Sequence, residues 1–465
     1  MSKIETFRQY CSFCRKDLSK LKYEHYNSDL LICIQCKNIF DNNPVDEASP
    51  IVLFDDIPVL QSDAKVLEYF EKELNLPLPA IILRNFLTND EVYGYLIEDN
   101  QVIGLGLDGA SLESLSAIIL NLTNLKYLSL KNNLLTELPA FIANLTSLEL
   151  LDVTKNNLTA LPSLANLENL YHINFLDNII EELPRLPANV QTINGRWNRI
   201  KYISTIPNSI KKINLAQNRI VKLPESFNTL DQLEELNLYG NQLVYLPDIF
   251  AKLKKLKILI LRVNKLDSLP ESFGSLSSLE NLDLEENNLV NLPGLSKFEK
   301  LKHLNVSKNK LEKINGLNRC INLNNLDIRD NKFAKLNISG LDALQIIDIS
   351  YNKFVKLPDG IKTKFLLTEC IASGNKITKI VQEEILGLRN LTRLSLAKNL
   401  LDSLPDITNL RNLQELYIND NMLQELPDWI KRINLKVLTI DNNQFENKEE
   451  YKEKIEVDNL DSWFE

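Results

Sequence analysis

Leu125-Lys126-Tyr127-Leu128-Ser129-Leu130-Lys131-Asn132-Asn133-Leu134-Leu135 is the stretch whose reading decides the fold. Its pattern, LxxLxLxxNxL, recurs with the Asn at 133, 156, 178, 198, 218, 241, 264, 287, 309, 331, 352, 375, 399, 421 and 443. The fifteen copies are spaced 20 to 24 residues apart, most often 22 or 23. In Leu-x-Leu the apolar residues alternate with a polar one, as in a strand with one buried face. Strands from successive coils can then pair in parallel, about 4.8 Å apart. The chain must turn sharply after each strand, and an inward Asn amide can satisfy backbone groups that the turn leaves unpaired. One coil cannot bury its own Leu face, so neighbours must stack. Leu-rich amphipathic helices are excluded, because Pro recurs inside the period at Pro139, Pro162, Pro224, Pro247 and Pro270, and Pro breaks helix interiors.

Over roughly residues 100–446 the chain resembles the leucine-rich repeat family. The resemblance implies an α/β leucine-rich repeat solenoid, a curved parallel β-sheet horseshoe of about 15–16 coils. Val102-Ile103-Gly104-Leu105-Gly106-Leu107 repeats the strand pattern without its Asn and reads as a degenerate first coil. The division expected is a zinc domain at 1–46, a linker and helical cap at 47–101, the solenoid at 102–446, and a capping helix and tail at 447–465. Within the cap, residues 62–75 read as a helix that Ser62 or Asp63 can cap, with Val66, Leu67, Phe70 and Leu74 at helical spacing. Between Asn178 and Asn218 the period shortens to 20; such coils, similar to the short bacterial class, are expected to run extended. The 24-residue coil after Asn375 has room for a helix at 381–386. Trp463-Phe464 is expected to pack on the last coil.

At 465 residues, 44% hydrophobic and 25% charged, the chain is too long for one ordinary compact core. A repeat array removes that limit by growing along one axis. The net charge of −9 argues against a duplex-binding surface. No run of 18 apolar residues suggests a membrane span, and the polar N-terminus does not read as a signal peptide. Cys320 and Cys370 stand alone, and nothing resembling the disulfide-rich caps of secreted repeat proteins flanks the array, so a reducing, cytoplasmic setting is expected.

The other four cysteines form Cys11-Ser12-Phe13-Cys14 and Cys33-Ile34-Gln35-Cys36, separated by eighteen residues. Two CxxC turns at this spacing can aim four thiolates, Cys11, Cys14, Cys33 and Cys36, at one structural Zn2+. A full thiolate shell leaves no open catalytic position and makes His25 a surface residue of the intervening ribbon. The segment Cys-Ser-Phe-Cys-Arg-Lys, followed by Leu-Ile-Cys-Ile-Gln-Cys, resembles the zinc-binding domain of the ClpX unfoldase. That resemblance implies a treble-clef-like unit that dimerises and recruits adaptors or substrates. The chain departs from it at Arg15, where the family has Gly. The family's ATPase is not implied, because no GxxxxGK[ST] phosphate loop occurs.

Function is expected on the outward sheet positions, the concave face of a solenoid. The residue between each Leu pair runs Ser129, Asp152, Asn174, Asn194, Asn214, Asn237, Ile260, Asp283 and onward to Thr439, mostly Asn and Asp. Tyr127, Tyr171, Leu176, Arg196, Trp197, Tyr239, Ile258, Ile260, Arg262 and Val263 break that polar run in the first seven coils. Aromatic and Arg anchors of this kind dominate protein interfaces, so Tyr127, Tyr171, Leu176, Arg196, Trp197, Tyr239, Ile260 and Arg262 form the candidate partner-binding set. Asp283, Glu285, Glu286, Asp327, Asp330 and Asp348 read as an acidic stretch that could steer a basic partner. The expected function is a non-enzymatic scaffold or adaptor that holds a protein partner, with the zinc domain giving a homodimer or docking to unfolded protein or a chaperone or protease machine. A nucleic-acid-associated zinc-finger regulator is the alternative; residues 1–40 hold seven Lys/Arg against four Asp/Glu, with no clear stripe. An effector-type ubiquitin ligase is disfavoured, because such enzymes need a large catalytic domain beyond the array.

Overall fold

The structure is a computed structural model. It describes residues 51–87 and 91–445, together with two strands nearer the N-terminus. Those strands, β1 (Tyr23–Asn27) and β2 (Leu30–Cys33), form an antiparallel hairpin that sets Tyr23 opposite Cys33. Cys11, Cys14 and Cys36, the tail after residue 445 and Trp463-Phe464 lie outside the described residues. Of Cys33 only its place at the end of β2 is described. The chain divides into two compact units, Met1–Ile180 with Pro184–Val190, and Glu181–Leu183 with Gln191–Glu465.

In the first unit, β3 (Ile51–Phe54) and β4 (Ile57–Leu60) pair antiparallel through Asp55-Asp56. Both turn residues have positive φ, the backbone a two-residue hairpin turn requires. Helix α1 (Gln61–Leu74) follows and buries Ala64, Val66, Leu67 and Phe70. Its start differs from the sequence expectation. Leu60 is the N-cap and no side chain caps the helix. Asp63 instead accepts the Val102 N–H at 2.8 Å, so it ties the helix to the first coil. Asn75, left-handed, ends the helix two residues before Pro77.

A short helix, α2 (Leu83–Leu87), precedes β5 (Tyr93–Glu98), which pairs antiparallel with β6 (Gln101–Leu107). β6 is the degenerate first coil, and it runs parallel to β7 (Tyr127–Ser129). β8 (Leu150–Asp152) and β9 (His172–Asn174) continue the parallel ladder. β6 carries Gly104 and Gly106 because the preceding segment crosses it. A Cβ at Gly106 would lie 2.4 Å from the Val92 carbonyl oxygen, and one at Gly104 would lie 2.8 Å from the Phe86 ring.

Among its described residues the second unit holds twelve parallel strands in chain order. They are β10 (Thr192–Asn194), β11 (Lys212–Asn214), β12 (Glu235–Asn237), β13 (Ile258–Ile260), β14 (Asn281–Asp283) and β15 (His303–Asn305), then β16 (Asn325–Asp327), β17 (Ile346–Asp348), β18 (Glu369–Ile371), β19 (Arg393–Ser395), β20 (Glu415–Tyr417) and β21 (Val437–Thr439). Register is held residue for residue, as in Ile213, Leu236, Leu259 and Leu282, all buried. Cys370 takes a Leu place in this row and is buried.

The recurrent Asn is the clasp between coils. Asn264 donates from Nδ2 to the carbonyls of Leu238 and Leu261 at 3.0 and 2.9 Å, and its Oδ1 accepts the Leu243 N–H at 3.0 Å. Asn241, Asn287, Asn331 and Asn375 repeat the arrangement. The residue before the Asn is left-handed in coil after coil: Asn132, Lys155, Asp177, Trp197, Gln217, Gly240, Val263, Glu286, Lys308 and onward to Asn442. Beyond the turn, several coils close through a 3-10 helix, as at Glu225–Thr229 directly after Pro224. Phe250 meets Phe273 edge-to-face at 5.2 Å, and Phe273 meets Phe298 at a tilt at 6.3 Å, giving the second unit an aromatic spine. The coils of the shortened period have no helix there, and the 24-residue coil holds α3 (Gln382–Ile385), both as the spacing predicts.

Candidate protein-contact face

Pleating sends the residues flanking each central Leu away from the core. In the first unit this outward face is largely covered, which corrects the reading of Tyr127 as exposed. Tyr127 is 9% exposed and lies under Phe86, ring centroids 5.7 Å apart, in a cluster with Val92, Ile103 and Leu150. Its hydroxyl donates to Glu149 at 3.3 Å. Burial, with Glu149 beside it, pushes the phenol up to about 12. Ser129 and Asp152 are buried as well. Both belong to a polar cluster around Asp108, which accepts from the Val92 N–H (2.6 Å), the Ser129 hydroxyl (2.6 Å) and the Lys131 N–H (2.8 Å). The Lys131 ammonium lies 3.8 Å from both Asp108 and Asp152. Burial lowers the pKa of His172 beside Asp152. The cluster fastens the cap to the sheet. Tyr171 and Leu176 stay half-buried at the far side of this unit.

The second unit brings Arg196, Trp197, Tyr239, Ile260 and Arg262 onto one outward face. The Arg196 guanidinium lies 4.2 Å over the Trp197 ring, and the Arg262 guanidinium 4.2 Å over the Tyr239 ring. Stacking of this kind holds two flexible Arg side chains flat, and Arg262 turns its edge toward Asp283 and Glu285, each 3.9 Å away. Ile258 and Ile260 are half-buried on β13, where they pair with Glu235 and Asn237 of β12. Trp197 is 45% exposed and adopts φ 56°, and the half-buried Val263 adopts φ 55°. Most coils place Asn, Asp, Lys or Gly there, so a bulky indole and a β-branched residue stand in a strained position.

The neighbouring strip is not simply acidic, which corrects the second sequence expectation. Glu285 meets Lys308 at 2.9 Å, Arg329 at 3.3 Å and Arg262 at 3.9 Å. Burial would raise its carboxyl, but these three cations hold it below its usual value. Arg329 also lies 3.7 Å from Asp327. Burial, with Asp348 adding to it, pushes Asp327 up to about 6. The strip is an interlocked charge network in which Arg262, Lys308 and Arg329 offset part of its acids and leave it net negative. The sequence reading missed Arg262, Lys308 and Arg329 as its cations, although they sit at the same register positions as the acids.

Catalytic features are not indicated among the described residues. Cys320 and Cys370 are buried, with thiols pushed up to about 12 by desolvation. No cluster of three His, Cys, Asp or Glu is gathered for a metal among the described residues. No described helix is long and apolar enough to cross a membrane.

Family models of the leucine-rich repeat match residues 124–145, 232–253, 246–289 and 412–433. A leucine-rich repeat protein of Leptospira interrogans shares the fold with TM-score 0.61 and 28% identity, over 82% of this chain and 99% of that one. The leucine-rich repeat ectodomain of the Arabidopsis receptor kinase HAESA, in complex with an extended IDA peptide hormone, gives TM-score 0.59 and 27% identity, over 71% of this chain and 60% of that one. The functional domain of InlJ from Listeria monocytogenes shares the fold at TM-score 0.59 and 21% identity, over 74% of this chain and 68% of that one. No curated protein sequence matches the chain. The stacked coils, the Asn clasps and these matches together make the chain a leucine-rich repeat protein.

Proposed function

We propose that the chain is a non-catalytic adaptor that holds a protein segment on the outward sheet face of its second unit. Arg196, Trp197, Tyr239, Ile260 and Arg262 are the contact residues. The observation that carries this is the pair of Arg–aromatic stacks, one of them built on a strained Trp197. A residue type that costs stability at its position and lies on open surface points to a contact role. The HAESA ectodomain, similar in fold at 27% identity, is bound to a peptide hormone, which supports peptide capture by an array of this kind. Tyr127 drops out of the set because the cap covers it.

The zinc reading belongs to the same proposal. Cys11, Cys14, Cys33 and Cys36 would hold one Zn2+ and serve docking or dimerisation in a reducing, cytoplasmic setting. The doubled CxxC spacing supports this, as does the hairpin that fills the gap between the pairs. The metal would supply a fold for this unit and no chemistry. The test is affinity capture of the partner by wild type, Trp197→Asn and Arg262→Ala. Loss in both variants with unchanged melting supports the face; equal capture by all three removes it.

A further inference from the structure

The edge that follows each Asn clasp carries a second pattern. Asn-Lys-x-x-Lys occurs at residues 309–313, 331–335, 352–356 and 375–379. Four successive coils therefore present eight exposed lysines in two columns. Backbone bonds between successive coils hold the first column in register, from the N–H of Lys332, Lys353 and Lys376 to the carbonyls of Leu311, Phe333 and Phe354. Lys356 pairs with Asp359 at 2.6 Å, and Lys310 donates to Asn288 at 3.0 Å. The other six make no ion pair among the described residues.

The opposite edge of the same unit shows that this is not a default of the repeat. There the charges alternate from coil to coil as Glu234, Lys257, Glu280 and Lys302, and close pairs of 2.7 Å form. Like charges on neighbouring coils repel one another. In a chain of net charge −9, eight lysines on four coils form a local concentration of the opposite sign. A bound polyanion would relieve it.

Beside the lysines lies a cleft of about 500 Å³, floored by Ile314, Leu317 and Leu336, with Lys313 and Lys335 on its rim. Glu312 and Asp359 also line it, the latter held by Lys356. The residues between the paired lysines offer no stacking platform, because Phe333 and Phe354 point into the core; beside them the exposed Tyr351 stands in one coil, with Lys308, Asp330 and Gly374 at its register in the others. Nucleic-acid strands are held by a basic groove together with exposed aromatics. A cleft of mixed lining, with Ile314, Leu317 and Leu336 beside ammonium and amide groups, suits a polypeptide instead.

We infer that the lysine edge of residues 309–379 is a docking surface for an acidic protein segment that carries an apolar side chain among its carboxylates. It is separate from the Trp197–Arg262 face and does not depend on it. The test uses the full chain and fluorescein-labelled Glu-Glu-Leu and Glu-Glu-Ser repeat peptides, with oligothymidylate and phosphatidylserine vesicles alongside. The expected result is salt-sensitive binding of the Glu-Glu-Leu peptide, about tenfold tighter than Glu-Glu-Ser because a leucine side chain leaves water. Combined Lys332→Gln, Lys335→Gln, Lys353→Gln and Lys376→Gln should weaken it about tenfold through the lost ion pairs. Melting should be unchanged, and Trp197→Asn should bind as wild type. No peptide binding, equal binding by the four-lysine variant, or tighter engagement of the oligonucleotide or vesicles through these lysines would overturn the proposal.

Discussion

Replacing Asn264 by Ala tests the clasp that makes the array one structure. The side chain makes three close bonds: Nδ2 to the carbonyls of Leu238 and Leu261, and Oδ1 from the Leu243 N–H. A longer contact of 3.3 Å to the Arg262 carbonyl adds little. Each ordinary hydrogen bond contributes about 1 kcal/mol net, and a buried group left unpaired costs about 1–3 kcal/mol. Leu243 and Leu238 are fully buried, so water cannot replace the lost partners without opening the coil. The sum is about 3–5 kcal/mol for a side chain of modest volume. Asn264→Asp should cost as much, since it keeps the acceptor but turns a carboxylate toward two carbonyls. The assay is urea unfolding followed by far-UV circular dichroism, with the midpoint and slope read together. A destabilisation below about 1 kcal/mol in both variants would refute the clasp, because solvent-exposed amides lose no more than that.

Other outcomes follow from the same geometry. Trp197→Asn should abolish partner capture while leaving stability equal or higher by up to about 1 kcal/mol, because Asn adopts the left-handed backbone readily; thermal melting and capture are read on the same sample. Phe86→Ala should cost about 3–5 kcal/mol and let the Tyr127 phenol titrate closer to 10.0 than to about 12 in an ultraviolet pH titration. Asp327, raised from its usual 3.8 to about 6, is easier to protonate folded than unfolded. Its contribution is therefore full below pH 3.8 and is lost as pH rises to about 6; Asp327→Asn, which keeps the acceptor for the Arg329 N–H, should melt higher at neutral pH and flatten that slope. Purified chain should carry one zinc by elemental analysis, and Cys11→Ser with Cys33→Ser should release it.

The repeat was legible because its period, its Leu pair and its Asn each answer to one local requirement. The shortened coils and the helix at Gln382–Ile385 followed from counting residues between Asn positions. What escaped was set by partners distant in sequence. Nothing in the register of Tyr127 shows that Phe86, forty-one residues earlier, folds over it. Asp63 looked like a helix cap and instead reaches Val102. The acidic strip misread Glu285 because its cations come from coils before and after it. Two signals were visible in the sequence and unused: the residue before each Asn favours types that tolerate positive φ, and Lys follows that Asn four times with a second Lys three residues on.

The most direct measurement of the adaptor account is site-specific photocrosslinking. Benzoylphenylalanine would replace Tyr239 on the contact face and, as a control, Tyr202, which is exposed away from it. The account predicts an adduct with a protein partner from position 239, absent from position 202 and lost when Trp197→Asn is added. Adducts of equal yield at both positions, or an adduct at 239 indifferent to Trp197→Asn, would contradict it.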